Sequence, residues 1–200
     1  MYPLFETICA ANGRTERLEY HEERRIRALD ELFHTTPKAS LKEILAELSL
    51  PREEGKLFKV VVRYDAADCD VSVHSYVPKK INTLRMAESD ADYSHKWTNR
   101  EALTKLLSDD AHEEVIIVKN GWVADATFAN LVFKKEGKWF TPRHCLLKGT
   151  MRQYLLDKNQ IEEIPIRSRD VGQFSHVRLI NSMLRFAAPP LPVSKIIPLP

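Results

Sequence analysis

The sequence has little of what marks several specialised protein classes. Its 200 residues include six glycines and three cysteines, and 30 basic against 28 acidic residues leave a formal net charge of +2. Cys9, Cys69 and Cys145 show no Cys-x-x-Cys spacing, which argues against a disulfide framework and against a zinc site. Interleaved charges of both signs do not form the basic patch that nucleic acid requires. We therefore expect reduced cysteines, no metal and no nucleic-acid partner.

Long apolar runs are also missing. No stretch of about 18 apolar residues could cross a membrane, and the N-terminus lacks the basic and apolar regions of a secretion signal. A content of 44% hydrophobic and 29% charged residues suits a globular protein of one or two compact units. The sequence thus predicts a cytoplasmic protein without a membrane partner.

Strand patterns occupy much of the chain. Segments rich in β-branched and aromatic residues alternate with turn signals, and the Asn12-Gly13 pair predicts a tight hairpin near the start. The predicted strands cover residues 4–10, 15–20, 57–64, 71–77, 115–118, 122–126, 130–134, 139–141, 161–166, 177–183 and 193–197.

Helices are predicted between these strands, which makes the chain α/β. In the helix expected over residues 21–34, the apolar residues at positions 26, 29, 32 and 33 form the predicted buried face and leave Arg24 and Arg25 mostly outside. Ser40 opens a capping-box pattern for a second helix, and further helices are expected over residues 98–107 and after Gly149. Pro78-Lys79-Lys80 is the candidate linker, so we predict a smaller N-terminal domain over residues 1–80 and a C-terminal domain over residues 81–200.

Three segments carry groups that could hold pyridoxal phosphate. Lys96 offers an amine, Asp125 ends a strand with a carboxylate, and Gly149 stands at a predicted helix start. The cofactor needs a lysine, a carboxylate that keeps its pyridine nitrogen protonated, and donors for its phosphate, which a helix N-terminus provides. Each residue also has an ordinary alternative: a solvated lysine, a turn or cap aspartate, and a turn glycine.

An ordered set of motifs points to a family. The set comprises Leu4-Phe5-Glu6-Thr7, Tyr20-His21-x-x-Arg24, Lys96-x-x-Asn99-Arg100, Asn120-Gly121 with 125–130, Thr141-Pro142, Leu146-Leu147-x-Gly149-x-x-Arg152 and Asn181-Ser182. This order closely resembles the class IV aminotransferases, the fold-type-IV pyridoxal phosphate enzymes. The family includes D-amino acid and branched-chain aminotransferases and aminodeoxychorismate lyase. The resemblance implies two α/β domains with the cofactor between them, and a homodimer.

The resemblance also implies roles for particular residues. Lys96, in the C-terminal domain, would form the Schiff base with the cofactor. Asp125 takes the place where the family usually has glutamate beside the pyridine nitrogen. The implied phosphate contacts are the Arg24 side chain, the Thr150 and Met151 backbone N–H groups and the Ser182 hydroxyl.

The reaction is less sharply indicated than the cofactor. The Asn181-Ser182-Met183 segment favours a 4-amino-4-deoxychorismate lyase, which releases pyruvate and 4-aminobenzoate from its amino substrate. A class IV aminotransferase is the alternative. Arg63, at a strand end, is a candidate for binding a substrate carboxylate, and a surface salt bridge is its alternative. The family's usual N-terminal hairpin is missing, so a non-catalytic cofactor-binding or regulatory protein is a third possibility.

Overall fold

A computed structural model describes residues 2–199, which fold into two compact units. Within these residues, the first unit contains residues 2–78 and 95–99, and the second contains residues 79–94 and 100–199. Among residues 2–199, no helix is both long and apolar enough to cross a membrane.

Lys96 lies in the first unit, which differs from the predicted division of the chain. The backbone explains this, because its segment joins the first strand near Pro3. Phe5 donates its N–H to the Lys96 carbonyl at 3.1 Å, and Thr98 donates to the Pro3 carbonyl at 2.7 Å. The segment around Lys96 therefore lies against residues more than 90 positions earlier in the chain. A division of the sequence into two consecutive segments cannot show this contact.

The first unit is a four-stranded antiparallel sheet with two helices. The strand order is β2-β1-β3-β4. Its elements are β1 (Leu4–Ala11), β2 (Arg14–Thr15), α1 (Leu18–Phe33), α2 (Leu41–Ala46), β3 (Leu57–Tyr64) and β4 (Cys69–Tyr76). Apolar residues of β1 and β3, among them Ile8 and Val60, pack with Leu41 and Leu45 of α2. The hairpin turn predicted at Asn12-Gly13 and the Ser40 capping box are confirmed. The predicted strand over residues 15–20 was too long, because β2 ends at Thr15 and α1 begins at Leu18.

The buried face of α1 differs from the predicted apolar stripe. His21, Arg24 and Arg25 are buried with Ala28 and Leu29, whereas the side chains at positions 26 and 33 are exposed by 41% and 37%. The prediction that the two arginines lie mostly outside was wrong. Arg24 donates to the buried Glu6 carboxylate, and Arg25 donates to Glu22 and to the Ala39 carbonyl, which are partly buried. A periodicity of apolar residues does not reveal these partners.

The second unit contains two further sheets. A five-stranded sheet has the order β10-β9-β8-β11-β12, and a four-stranded sheet has the order β13-β5-β6-β7. The elements are β5 (Thr83–Glu88), α3 (Glu101–Thr104), β6 (Glu113–Lys119), β7 (Trp122–Ala126), β8 (Asn130–Lys135), β9 (Lys138–Pro142), α4 (Thr150–Asp157), β10 (Glu162–Ile164), β11 (His176–Ile180), β12 (Leu191–Pro192) and β13 (Ile196–Ile197). Its larger core joins β6, β7, β8 and β11 through residues such as Ile116, Leu131 and Val177.

Strand β7 carries a bulge that bears on the site. Val118 pairs with Val123 and Ile116 pairs with Ala126, so β7 has one more residue than β6 between these pairs. Side chains alternate between the two faces of a strand, and one extra residue reverses the alternation beyond it. Asp125 lies within this irregular stretch of β7.

Candidate active site

Lys96 is held against the first strand by its backbone and by an aromatic ring. Its Nζ atom lies 4.3 Å from the centre of the Phe5 ring, a distance at which the face of the ring attracts a cation. Leu4, next to Phe5, forms a β-bridge with Trp97. Lys96 as a whole is half-buried.

A buried ionic cluster lies behind this strand. Glu6 is fully buried, and its carboxylate accepts hydrogen bonds from Arg24 Nε at 2.9 Å and Arg24 Nη2 at 2.5 Å. His21 Nδ1 lies 2.6 Å from Glu6 Oε2, and because an ionised carboxylate only accepts, Nδ1 carries the proton. The cluster orients the Arg24 guanidinium from one side.

The pKa values of the cluster show which charges it favours. Burial acts to raise the pKa of Glu6, but the charge of Arg24 and the hydrogen bonds of His21 and Arg24 lower it to about 2. Burial lowers the pKa of His21, against the opposing effect of Glu6, and the nearby charges of Arg24 and Lys96 lower it further. At neutral pH the cluster is therefore an ion pair of Glu6 and Arg24 with a neutral imidazole.

Asp125 is enclosed by hydrogen-bond donors in the second unit. Its Oδ1 accepts from the Asn130 side chain at 2.7 Å, and its Oδ2 accepts from the backbone N–H groups of Leu146 and Leu147, both at 2.9 Å. Burial raises the pKa of Asp125 to about 6, although these donors and the charge of Arg152 oppose the rise. A buried carboxylate with such a pKa gains strongly from a nearby cation.

The start of helix α4 is coupled to Asp125 through Asn130. The Asn130 amide also donates to the Leu147 carbonyl at 2.9 Å, and its Oδ1 occupies the place where a Cβ on Gly149 would stand. Gly149 is followed by Thr150 and Met151, both buried. The first N–H groups of an α-helix have no partner within the helix and favour anions. Asp125 and the start of α4 thus belong to one connected group.

Replacing Gly149 by alanine tests this coupling. The added methyl group is expected to displace the Asn130 side chain, to weaken pyridoxal phosphate binding and to lower the free energy of unfolding by about 1–3 kcal/mol. Titration of the cofactor and denaturant unfolding measure the two effects. The control is Gly172→Ala, because an added Cβ at Gly172 meets no atom within 4 Å. Equal behaviour of the two variants would contradict the coupling.

Ser182 and Arg63 differ in their surroundings. Ser182 is buried just beyond β11, in a turn where Asn181 Oδ1 accepts the N–H groups of Met183 and Leu184. The Arg63 side chain is 41% exposed and lies 3.8 Å from Asp70 Oδ2, with Ser72 Oγ 3.4 Å from its Nη1. The role of Arg63 in substrate binding stays a prediction.

Sequence reasoning missed three residues that orient the others. Glu6 and His21 stand inside the family motifs, and Asn130 ends one, yet none was assigned a role. The signal for Glu6 was its place on β1 between the buried Leu4 and Ile8, two residues away on either side. A carboxylate on the buried face of a strand requires buried cationic or donor partners.

Comparisons with known proteins identify the family of the chain. The profile of the amino-transferase class IV family matches residues 3–196. A crystal structure from Haemophilus somnus 129PT, provisionally assigned as a 4-amino-4-deoxychorismate lyase, is 31% identical with a TM-score of 0.85, over 92% of this chain and 97% of that chain. An uncharacterised protein of Haemophilus influenzae is 32% identical over 92% of this chain and 98% of its own length.

A more distant relative comes from Schizosaccharomyces pombe. This protein, provisionally named an aminodeoxychorismate lyase, is 29% identical over 80% of this chain and 75% of its own length. The match of the family profile to nearly the whole chain confirms the family and the mixed α/β fold expected from the motifs. The chain belongs to the class IV aminotransferases, a family of pyridoxal phosphate-dependent aminotransferases and lyases.

Proposed function

We propose that this enzyme is a 4-amino-4-deoxychorismate lyase, which cleaves its amino substrate to pyruvate and 4-aminobenzoate. The observation that carries the proposal is the similarity to the Haemophilus somnus protein, which extends over 97% of that chain at 31% identity. The Schizosaccharomyces pombe relative supports the same reaction. We further propose that the enzyme acts in the cytoplasm, as a homodimer, in folate biosynthesis.

The donor groups in each unit fit the polar parts of pyridoxal phosphate. Lys96 offers an amine, and Asp125 offers a buried carboxylate for the pyridine nitrogen. The proposed phosphate ligands are the Arg24 guanidinium, the Thr150 and Met151 N–H groups and the Ser182 hydroxyl. Arg24 is held by Glu6, and the segment before α4 is held by Asn130, which donates to Asp125 and to the Leu147 carbonyl. Both groups of donors are therefore held in place by the chain itself.

The cofactor and the protein residues would supply different parts of the chemistry. When bound, pyridoxal phosphate supplies a ring that draws electrons from the substrate carbon. We propose that Lys96 Nζ would hold the cofactor and, once the substrate amine is bound, would move the proton of the substrate carbon. The carboxylate of Asp125 would keep the ring nitrogen protonated, because its pKa of about 6 leaves it mostly ionised at neutral pH.

An assay without an amino-group acceptor separates the lyase from an aminotransferase. Purified protein is expected to form 4-aminobenzoate and pyruvate from 4-amino-4-deoxychorismate with no keto acid present, because the amino group stays on the product. Product formation is followed by chromatography. Turnover of an amino substrate only in the presence of a keto acid would reject the lyase and favour the aminotransferase.

The titration of Asp125 tests its pairing with the cofactor. In protein without cofactor, the carboxyl carbon of Asp125 is expected to titrate near pH 6, as burial dictates. A protonated ring nitrogen beside it favours the ionised form, so pyridoxal phosphate should lower the midpoint by at least about one unit. NMR of protein labelled with ¹³C at aspartate carboxyl groups measures this, and Asp125→Asn assigns the signal. An unchanged midpoint on cofactor binding would contradict the pairing.

A further inference from the structure

The loop between β9 and α4 holds Asp125 through its backbone, and one of its side chains stacks on the strand that carries Asp125. The loop supplies the N–H groups of Leu146 and Leu147 to the carboxylate. Two residues before Leu146, the ring of His144 lies on the indole of Trp122, with 4.7 Å between ring centres and 31° between planes. The loop is therefore attached to β7 at two places.

Trp122 is itself fixed on its strand. The guanidinium carbon of Arg167 lies 4.0 Å from the centre of the Trp122 ring. The backbones of the two residues form a β-bridge, and Val123 donates its N–H to the Ile166 carbonyl at 2.9 Å. His144 thus stacks on a ring that a cation and a backbone bridge already hold.

The bulge in β7 explains how one loop reaches both Trp122 and Asp125. In a regular strand, side chains three residues apart point to opposite faces. The extra residue of β7 between its pairs with Ile116 and Val118 resets the alternation. Both side chains can then meet the loop, as the contacts of His144 and of Leu146 show.

We propose that the stack of His144 on Trp122 is a positioning device, which fixes the loop so that its N–H groups stay aimed at the Asp125 carboxylate. The effect on the reaction rests on the proposed function of Asp125, whereas the effect on the carboxylate itself does not. His144 and Trp122 are positioning residues, since they act through the loop.

A cavity beside the stack leaves space next to the loop. The cavity has a volume of about 440 Å³ and is lined by the stack together with residues 92–94, Lys119, Asn120, Arg143, Cys145 and Leu146. Without the stack, the loop has open space into which it can move. Other anchors remain at its ends, because Arg143 donates its N–H to the Ile164 carbonyl at 2.8 Å and Asn130 donates to the Leu147 carbonyl.

The charged state of Asp125 reports the position of the loop. Hydrogen bonds to an ionised carboxylate favour that form. The titratable groups that interact with Asp125 are Arg152 of α4, whose charge lowers the pKa of the carboxyl, and Cys145 of the loop, whose own pKa burial raises to about 11. Loosening the loop leaves Arg152 in place and removes N–H donors, so the pKa of Asp125 should rise.

The experiment compares His144→Ala with His144→Phe, which keeps a ring for stacking. In the ¹³C-labelled full chain without cofactor, His144→Ala is expected to raise the titration midpoint of Asp125 by about 0.5–1 unit. His144→Phe is expected to return the midpoint most of the way to the wild-type value. The matched control is His176→Ala, which removes a histidine of β11 whose ring lies 3.1 Å from Ser175 Oγ.

Removing the stack from its other side gives a second variant. Trp122→Leu should raise the midpoint as His144→Ala does, and circular dichroism checks that both variants fold. A wild-type midpoint in folded His144→Ala overturns the positioning role.

Addition of pyridoxal phosphate separates this inference from the proposed function. If His144→Ala raises the midpoint but the cofactor does not change it in the wild type, the positioning role is supported and the pairing of Asp125 with the cofactor is contradicted. If the cofactor lowers the midpoint but His144→Ala does not change it, the pairing is supported and the positioning role is contradicted.

Discussion

Lys96→Ala is expected to abolish both turnover and the visible absorbance band of lysine-bound pyridoxal phosphate. In the proposed function, the variant loses the amine that binds the cofactor covalently and the group that moves the substrate proton. A positioned acid–base group alone contributes about 10²–10⁴-fold to a rate, so the loss should reach about 10³-fold or more. Absorbance of protein incubated with the cofactor and a product assay measure the two effects.

The control for this variant is an ordinary surface lysine. Lys105 is 72% exposed and pairs with Glu101 at 2.8 Å on a short helix, so Lys105→Ala should keep the band and the activity. Circular dichroism should show that Lys96→Ala remains folded, because the segment is held mainly by backbone bonds to β1. An unchanged band in Lys96→Ala would contradict the assignment. A wild-type protein with no band even after incubation would favour a non-catalytic protein.

Glu6→Gln is expected to cause a large loss of stability in the first unit. The substitution leaves the Arg24 guanidinium, on a residue that is only 7% exposed, without its anionic partner. Breaking a buried ion pair by removing one partner costs about 3–5 kcal/mol, and glutamine can still accept one hydrogen bond, so about 3 kcal/mol is expected. Denaturant unfolding at neutral pH measures the loss. Glu23→Gln, an exposed position on α1, should change stability little.

The same cluster gives stability a defined dependence on pH. The pKa of Glu6 is lowered from 4.5 to about 2 in the folded state, so the unfolded chain binds more protons as the solution is acidified. The contribution of Glu6 to the free energy of unfolding is therefore complete above about pH 4.5 and is lost as the pH falls towards 2. The pKa of His21 is also lowered from 6.5 in the folded state. The contribution of His21 to the free energy of unfolding therefore begins to fall as the pH drops below about 6.5. Glu6→Gln should flatten the acid limb of stability, and a limb identical to the wild type would contradict an ionised Glu6 in the folded state.

Local signals in the sequence predicted much of the fold. The Asn12-Gly13 turn and the capping box at Ser40 each depend on residues close in sequence, and both formed as expected. The strands predicted over residues 115–141 also formed, but they are divided between two sheets, with β6 paired to β7 and β8 paired to β9. Strand β5 was missed, because Leu84, Met86 and Ala87 favour helix at least as well as strand. Its pairing with β6 and β13 is parallel and joins distant parts of the chain, which alternation within one segment cannot show.

The sequence indicated residue types for the candidate site but not their contacts. Family motifs pointed to Lys96 and Asp125, but nothing local indicates that the N–H groups of Leu146 and Leu147 enclose the carboxylate. The burial of Arg24 depends on Glu6, which is 18 residues away in the chain. Backbone donors and long-range ion pairs leave little trace in the periodicity of apolar residues, and these are the interactions that orient the site.

The most direct test of the proposed enzyme is to locate the cofactor on the chain. Purified protein is incubated with pyridoxal phosphate, reduced with borohydride to make the lysine bond permanent, digested and analysed by mass spectrometry. We predict that the added pyridoxyl mass is found on Lys96 and that Lys96→Ala carries none. Attachment to a different lysine, or no attachment at all, would contradict the role of Lys96.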